Sequence, residues 1–323
     1  MKAAVMYTGI ELPQYVDFAE PTIKNDNEVI VRVKAVAIKH FDKGRATGKH
    51  YSADAPHEGG RVVGGDGVCL LENGTRVYGM GVSGMLAEKA IIHKDRIVEI
   101  PNGLDDATAA ALPNAVIGAA MGLKFRADIQ RGDVVLINGA TGFTGRVAVQ
   151  IAKHYGAKKV IVTGRNPQSL DELLMLGADE IVSLTPDGEQ FKQQIKAIHL
   201  QTPIDIIVDY LWGDSAEIIL AIIKGNGSFT NKIRYVSVGS ITGDVIRLSA
   251  ANLRSVNLHL TGSGLGSWSK QQVGQLFTEI LPEMFQIAAE GKLKVETNRV
   301  KLKDIAQVWD LAVADGTRLV VTI

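Results

Sequence analysis

One feature restricts the fold of this chain more than any other: a glycine-rich turn between an apolar strand and a helix. Residues 134–137 read Val-Val-Leu-Ile, and residues 138–145 follow as Asn-Gly-Ala-Thr-Gly-Phe-Thr-Gly. Residues 146–155 then carry apolar side chains at helical spacing. A buried strand that enters a helix through such a turn is typical of a parallel sheet with helices on both faces.

Further apolar strands follow, and helical segments separate most of them. The strands are expected at residues 160–162, 180–182, 204–209, 234–238 and 258–261, and the helices at 168–176, 191–200 and 215–224. Continuous apolar strands that alternate with helices predict a doubly wound parallel sheet of six strands, the Rossmann arrangement. The predicted fold class is therefore α/β.

The two flanks of this region have a different, β-rich character. Short strands bounded by turns are expected at residues 28–36, 61–63, 74–79 and 94–101, with a helix at 105–112. Beyond the sixth strand, helices are expected at 271–289 and 303–314 and strands at 294–297 and 319–322. We assign both flanks to one domain, residues 1–118 and 265–323, which is split around a dinucleotide-binding domain of residues 119–264.

The glycine turn has the chemistry of a phosphate site. Small residues let the backbone approach a pyrophosphate, and the start of the next helix presents N–H groups and a partial positive charge. The alternative is a strained turn needed only for packing. The predicted cofactor-binding residues of the turn are Gly139, Ala140, Thr141, Gly142, Phe143, Thr144 and Gly145.

The end of the second strand indicates which dinucleotide is bound. An NAD site would place an acidic residue here for the ribose 2′-hydroxyl. This chain has Gly164 followed by Arg165, and a guanidinium pairs with a 2′-phosphate. The pattern predicts NADP(H), the alternative being a surface arginine beside a loop. After the fifth strand, Val238, Gly239 and Ser240 are expected beside the nicotinamide.

Composition excludes several classes of protein. Lys plus Arg and Asp plus Glu both number 35, so the chain lacks the basic excess of a nucleic-acid-binding protein. The one cysteine, Cys69, excludes a disulfide framework and a multi-cysteine zinc site and fits a reducing compartment. Because no signal-like or membrane-spanning apolar run is found, we expect a cytoplasmic protein.

Several segments, in this order and spacing, resemble the medium-chain dehydrogenase/reductase superfamily, in its zinc-independent quinone oxidoreductase-like branch. They are residues 35–42, 64–67, 75–78, 86–88 and 109–113, together with the glycine turn and residues 148–153. The resemblance covers nearly the whole chain. It implies a GroES-like β-rich domain split around a Rossmann domain, in agreement with the pattern above.

The resemblance also implies that no zinc is held. Lys39 stands where zinc-dependent members have a cysteine ligand, and Gly65-Asp66 matches their Gly-His-Glu motif. His57-Glu58 falls several residues early, and we interpret it as a loop pair. Without a Lewis acid to polarise an alcohol or carbonyl, we expect hydride transfer from NADPH to a quinone or an α,β-unsaturated carbonyl.

The source of the proton is the least determined part of the site. Relatives often place a tyrosine where this chain has Gly44, and a second such position falls near His50 and Tyr51. We take Tyr51, His50 and Lys39 as candidate catalytic residues, the alternatives being an exposed loop pair and a surface lysine, with water as another proton source. Asn114 is a candidate contact to the nicotinamide carboxamide.

The sequence leaves two other functions as alternatives. Residues 139–142 resemble the glycine motif of short-chain reductases, and Tyr155 and Lys159 have the spacing of their catalytic pair, but this pair lies too near the turn to reach a substrate. A non-catalytic NADPH-binding sensor or partner-binding protein is the other alternative, because the tyrosine is absent at Gly44.

Residues 258–261 would form an open sheet edge, which predicts a homodimer.

Overall fold

The computed structural model describes residues 1–48, 59–184 and 187–323. By its internal contacts the chain divides into two units. The first joins Met1–Asn114 to Gly274–Ile323, and the second is Ala115–Val273. The domain boundaries expected at residues 118/119 and 264/265 stay a prediction.

The N-terminal part of the first unit is built mainly from strands. The strands are β1 Lys2–Met6, β2 Gln14–Asp17, β3 Glu28–Ala37, β4 Arg61–Val62, β5 Asp66–Leu70, β6 Arg76–Gly81 and β7 Lys89–Glu99. Two helices accompany them, α1 His40–Ala46 and α2 Asp106–Val116. Their order agrees with the β-rich character expected for this part of the sequence.

The second unit contains the strand and helix alternation. Its strands are β8 Val134–Asn138, β9 Lys159–Gly164, β10 Glu180–Ser183, β11 Ile206–Asp209, β12 Ile233–Ser237 and β13 Leu258–Gly262. Its helices are a π-helix Ile117–Arg126, then α3 Phe143–His154, α4 Pro167–Met175, α5 Gly188–Gln201, α6 Gly213–Ile222 and α7 Ala250–Ser255, with a short 3₁₀ turn at Leu265–Ser267.

The C-terminal segment returns to the first unit. It contains α8 Lys270–Gln275, which crosses the boundary, a π-helix Leu276–Ile280, α9 Leu281–Ala289, β14 Glu296–Lys301, a 3₁₀ turn Leu302–Asp304, α10 Ile305–Val308 and β15 Thr317–Thr322. The helix expected over 303–314 is shorter than predicted. Trp309 follows it and lies fully buried in the core of this unit.

Two sheets give the first unit its shape. One has the strand order β14-β15-β3-β5-β6-β7, and β3 also pairs with β7, so that β3, β5, β6 and β7 close into a small barrel. The other has the order β2-β1-β4. The barrel core is mainly aliphatic, and β3 alternates between buried and more exposed side chains over residues 31–35.

The sheet of the second unit is parallel throughout, with the order β10-β9-β8-β11-β12-β13. This order places β8, which ends at the glycine turn, in the middle of the sheet, where the strand order reverses direction. The predicted α/β fold, with a β-rich domain and a six-stranded parallel sheet, is confirmed. None of the helices in the described parts of the chain is long and apolar enough to cross a membrane.

The helix that carries Asn114 extends further than the sequence suggested. The sequence predicts a helix over residues 105–112, and the next residue, Pro113, cannot donate a backbone hydrogen bond. The structure continues α2 through Pro113 to Val116 and then widens directly into the 117–126 π-helix. The backbone N–H of Ala127 donates to the carbonyl of Gly122 at 2.9 Å, which is the i to i+5 pattern.

Candidate functional site

The glycine turn leaves an open surface at the start of α3. Gly139 has φ +84°, a conformation that favours glycine. Gly142 precedes the first residue of α3 and has no side chain to cap it, whereas Asn166 caps α4 and Asp187 caps α5 through side-chain oxygens. Among the described residues, a Cβ atom on Gly142 would meet no atom within 4 Å.

Gly145 allows the opposite, a close approach within the turn. A Cβ atom here would lie 2.5 Å from the Cα atom of Ala140, which is backbone and cannot move aside. The helix therefore packs directly on the turn while the side above Gly142 stays open. The turn residues fit a pyrophosphate on both counts, since the ligand needs an open face and helix N–H groups that point at it.

A buried hydrogen-bond network holds this turn in place. Asp209, at the end of β11, accepts from Asn138 Nδ2 at 2.8 Å on Oδ1 and from the Tyr235 hydroxyl at 2.6 Å on Oδ2. Asn138 Oδ1 in turn accepts from Thr163 Oγ1 at 2.8 Å, and Thr163 Oγ1 accepts from the Gly139 N–H at 2.9 Å. The network thus links the carboxyl ends of three adjacent strands to the first glycine of the turn.

The same carboxylate shapes the loop after β11. Asp209 Oδ1 accepts from the backbone N–H groups of Leu211 at 2.8 Å and Trp212 at 3.1 Å. Trp212 has φ +61° and ψ −149°, a strained conformation for a residue other than glycine. Its ring packs edge-on against Tyr235, with the ring centroids 6.1 Å apart, so Trp212 caps the core on this side of the sheet.

Gly164 and Arg165 lie at the carboxyl end of β9, beside the turn. A Cβ atom on Gly164 would overlap the methyl group of Thr141, so a larger residue here would displace that side chain. Arg165 is exposed and makes no ion pair within residues 1–48, 59–184 and 187–323. Arg146, by contrast, is paired with Glu172 at 2.6 Å. The contact of Arg165 with a 2′-phosphate stays a prediction.

The remaining predicted cofactor residues lie on two elements. Val238 and Gly239 follow β12, and their N–H groups donate to the Asp209 carbonyl at 2.8 and 3.2 Å. Ser240 is exposed beside them. Asn114 is half-buried on α2, in the first unit. Their cofactor contacts stay predictions.

The first unit contains a second polar cluster, centred on Lys39. The Lys39 ammonium is 2% exposed and pairs with Asp66 and, at 3.2 Å, with Asp42. Asp66 also accepts from the Tyr78 hydroxyl at 2.8 Å, and Asp42 accepts from the Gly65 N–H at 3.1 Å. The alternative of a surface lysine is therefore wrong. Its catalytic role stays a prediction, and the paired, buried ammonium favours a structural role.

Burial and charge shift the pKa values of this cluster. Burial alone would lower the pKa of Lys39, but the carboxylates of Asp42 and Asp66 outweigh it and raise that pKa above its usual range. Burial also raises the pKa of Asp42, and burial with the charge of Asp66 raises the pKa of Tyr78. Burial lowers the pKa of Arg318, which is close to both carboxylates, to about 10. Lys39 and Arg318 therefore stay cationic at neutral pH.

A cavity of about 410 Å³ lies beside this cluster, within the first unit. Its lining residues are Asp42, Arg45, Ala46, Arg61, Val62, Val63, Gly64, Gly65, Gly81, Val82, Ser83 and Gly84. Because four of these are glycines, much of its wall is backbone. Arg45 and Arg61 add two cationic side chains to this lining.

The predicted catalytic pair His50 and Tyr51 lies outside the described residues, as does the His57-Glu58 pair. Within the described part of the chain, no three His, Cys, Asp or Glu side chains converge as metal ligands. Sequence reasoning missed the Asp209 network. Its signal was a polar residue at or near the end of three apolar strands, namely Asn138, Thr163 and Asp209.

The chain is similar to known proteins in both sequence and fold. The family profile described as zinc-binding dehydrogenase matches residues 144–281. A quinone oxidoreductase-like protein 2 homolog of Nematostella vectensis is 28% identical over 83% of this chain and 73% of that protein.

A phenolphthiocerol synthesis polyketide synthase of Mycobacterium marinum is 31% identical over 62% of this chain, but the match spans only 10% of that synthase. The structure of a quinone oxidoreductase from Thermus thermophilus, solved also in complex with NADPH, superposes with a TM-score of 0.77 at 24% identity. It covers 100% of both chains, and at this identity it shows the fold.

The lysine cluster gives a stability prediction. Replacing Lys39 with Met leaves Asp42 and Asp66 buried without their shared cation, so we expect the free energy of unfolding to fall by about 3–5 kcal/mol. Because the folded-state pKa of Lys39 is raised above 10.5, the ion-pair contribution is fully present below pH 10.5 and is lost as the pH rises through the folded pKa.

Urea unfolding followed by circular dichroism at neutral pH measures the effect. Lys2→Met is the matched control, since Lys2 pairs with Asp17 while 42% and 78% of these side chains are exposed. The control should shift the unfolding midpoint far less than Lys39→Met, because solvent screens an exposed ion pair. Equal midpoints for the two variants would contradict the buried ion pairs.

Proposed function

Because the chain belongs to the medium-chain dehydrogenase/reductase superfamily, in its quinone oxidoreductase-like branch, we propose that it is an NADPH-dependent oxidoreductase that reduces a quinone or an α,β-unsaturated carbonyl. The observation that carries the proposal is the open, uncapped start of α3 at Gly142. When bound, the nicotinamide supplies the hydride.

The glycine turn would hold the pyrophosphate of this cofactor. The α3 helix has twelve residues, and the N–H groups of its first turn favour an anion at this end. The network around Asp209 keeps the Gly139 backbone in its φ +84° conformation before a ligand arrives. The turn is therefore preorganised, which reduces the loss of entropy on binding.

Arg165 would select the phosphorylated form of the cofactor. It lies directly after the strand end where NAD enzymes place an acidic residue, and an acidic side chain would repel a 2′-phosphate. The neighbouring Arg146 is already neutralised by Glu172, so Arg165 is the cation that remains for the ligand on this side of the turn.

The proposed class of hydride acceptor follows from the chemistry of Lys39 and its neighbours. The resemblance matches Lys39 to the cysteine ligand of zinc-dependent members, and the Lys39 ammonium is held by two carboxylates. A buried ammonium in that pairing does not polarise an alcohol, whereas a quinone or an enone is electron-poor enough to accept hydride. The glycine-lined cavity beside Asp42 and Gly65 is the candidate acceptor pocket.

Tyr51 and His50 remain the proposed groups for donating a proton or a hydrogen bond to the reduced oxygen, with water as the alternative source. The second candidate function is an NADPH-binding sensor, favoured by Gly44 at the position where relatives carry a tyrosine.

We place the protein in the cytoplasm, since its buried Cys69 is a free thiol that fits a reducing compartment.

The choice of cofactor is tested by calorimetry. Wild-type protein should bind NADPH at least tenfold more tightly than NADH, because of the charge-assisted hydrogen bonds to the 2′-phosphate. Arg165→Ala should weaken NADPH binding about 10- to 100-fold and leave NADH binding unchanged. Arg254→Ala, which removes another exposed arginine of the second unit, is the control. Equal affinity of the wild type for both cofactors would show that the assignment to NADPH is wrong.

Turnover separates an enzyme from a sensor. NADPH oxidation should be detected with at least one acceptor of a panel of quinones and enones, and Tyr51→Phe and His50→Ala should lower kcat by about 100-fold or more if they act as acids. Tyr15→Phe, an exposed tyrosine of the first unit, is the control. Unchanged turnover in both variants would remove the pair from the mechanism, and binding without turnover would favour the sensor.

The edge of the six-stranded sheet supports a homodimer. Strand β13 pairs with β12 on one side and has no other strand partner among the described residues. An edge strand of this kind pairs readily with a second copy. Sedimentation equilibrium should therefore give the mass of two chains, and a single-chain mass at micromolar concentration would contradict the dimer.

A further inference from the structure

The side chain of Tyr210 joins two segments of the second unit that are far apart in sequence. Tyr210 follows β11 directly, and its hydroxyl donates to the backbone carbonyl of Gly118 at 3.0 Å. Gly118 is the second residue of the 117–126 π-helix. The phenol thus attaches the first turn of this π-helix to the carboxyl end of the parallel sheet.

Gly118 lies where two further segments of the candidate cofactor site meet. A Cβ atom on Gly118 would lie 2.9 Å from the Thr144 methyl carbon, 3.6 Å from Val238 Cγ1 and 3.9 Å from Tyr210 Cε1. Thr144 is in the first turn of α3, and Val238 follows β12. Four segments therefore converge on one point at the carboxyl edge of the sheet.

The direction in which the proposed cofactor would lie indicates which part of it the residues around Gly118 would contact. The pyrophosphate is assigned to the turn after β8, and the 2′-phosphate to Arg165 after β9. Because β11 and β12 lie on the other side of β8 in the sheet, the nicotinamide end of the dinucleotide extends toward them. The convergence of Gly118, Thr144, Val238 and Tyr210 lies in that direction.

Tyr210 is suited to positioning and not to proton transfer. Burial raises the pKa of its phenol well above the usual value of 10, so the group stays protonated and remains a hydrogen-bond donor. The hydroxyl proton is already donated in the hydrogen bond to the Gly118 carbonyl. Gly239 restricts the same place, because a Cβ atom on it would lie 2.7 Å from the Tyr210 carbonyl oxygen.

We propose that Tyr210 is a positioning residue, whose hydrogen bond to Gly118 fixes the first turn of the π-helix beside Thr144 and Val238 and so shapes the wall that receives the nicotinamide ring. The inference rests on the proposed function, since it assumes a nicotinamide dinucleotide on the glycine turn. π-helical turns are frequent at functional sites, and their wide, irregular geometry needs support from outside the helix.

The test uses two ligands that differ in the nicotinamide half. NADPH contains the whole cofactor, whereas adenosine 2′,5′-bisphosphate contains only the adenosine phosphate end. Tyr210→Phe removes one hydroxyl and keeps the ring. Calorimetry should show NADPH binding weakened about fivefold, the effect of one hydrogen bond, with bisphosphate binding unchanged.

Two further variants separate positioning from general stability. Tyr235→Phe removes a phenol of the same unit that bonds to Asp209, and it should change the affinity for both ligands by the same factor. Gly118→Ala crowds the Thr144 methyl and should weaken NADPH binding more than bisphosphate binding. Gly266→Ala is its control, because a Cβ atom on Gly266 would meet no atom of the described residues within 4 Å.

A ligand-free readout completes the test. Amide hydrogen exchange at residues 122–127 should be faster in Tyr210→Phe than in the wild type, because the π-helix has lost its attachment. Unchanged exchange, unchanged NADPH affinity, or an equal loss for both ligands would overturn the inference. A wild-type protein that binds neither ligand would overturn the proposed function and this inference together, and is thereby distinguished from the other outcomes.

Discussion

The second unit depends on a single buried carboxylate, that of Asp209. It joins the ends of β8, β9 and β11 through Asn138 and Thr163, and it also orders the loop that follows β11. A carboxylate taken out of water is costly unless its lone pairs are satisfied, and here four donors satisfy them. The glycine turn inherits its shape from this arrangement, because the Gly139 N–H is bonded to the same network.

The first unit also contains a buried charge that its neighbours stabilise, but here the central charge is positive. Lys39 is the buried cation, and Asp42 and Asp66 surround it, with Tyr78 and Arg318 close by. Removing Lys39 would leave two buried carboxylates without their shared cation. Such an unpaired buried charge is strongly destabilising. The cluster ties α1, which begins at His40, to β5 and to the rim of the glycine-lined cavity.

The parallel sheet could be predicted because its strands are buried on both faces and therefore read as unbroken apolar runs. All six strands lie within about two residues of their expected ends, and the turn was recognised from its glycines. The extension of α2 through Pro113 was missed, since local propensity opposes it and only packing compensates. Lys39 was expected near the site, but its burial depends on Asp66, a partner 27 residues away that no local pattern identifies.

The absent side-chain cap at Gly142 couples the stability of the second unit to binding of its proposed ligand. A helix that lacks a side-chain cap at its N-terminus gains stability when an anionic ligand binds there. A ligand present at 100 times its Kd adds about 2.7 kcal/mol to the stability of the folded chain. If that ligand is the proposed NADPH, the resistance of the folded chain to proteolysis would rise with the concentration of the reduced nucleotide.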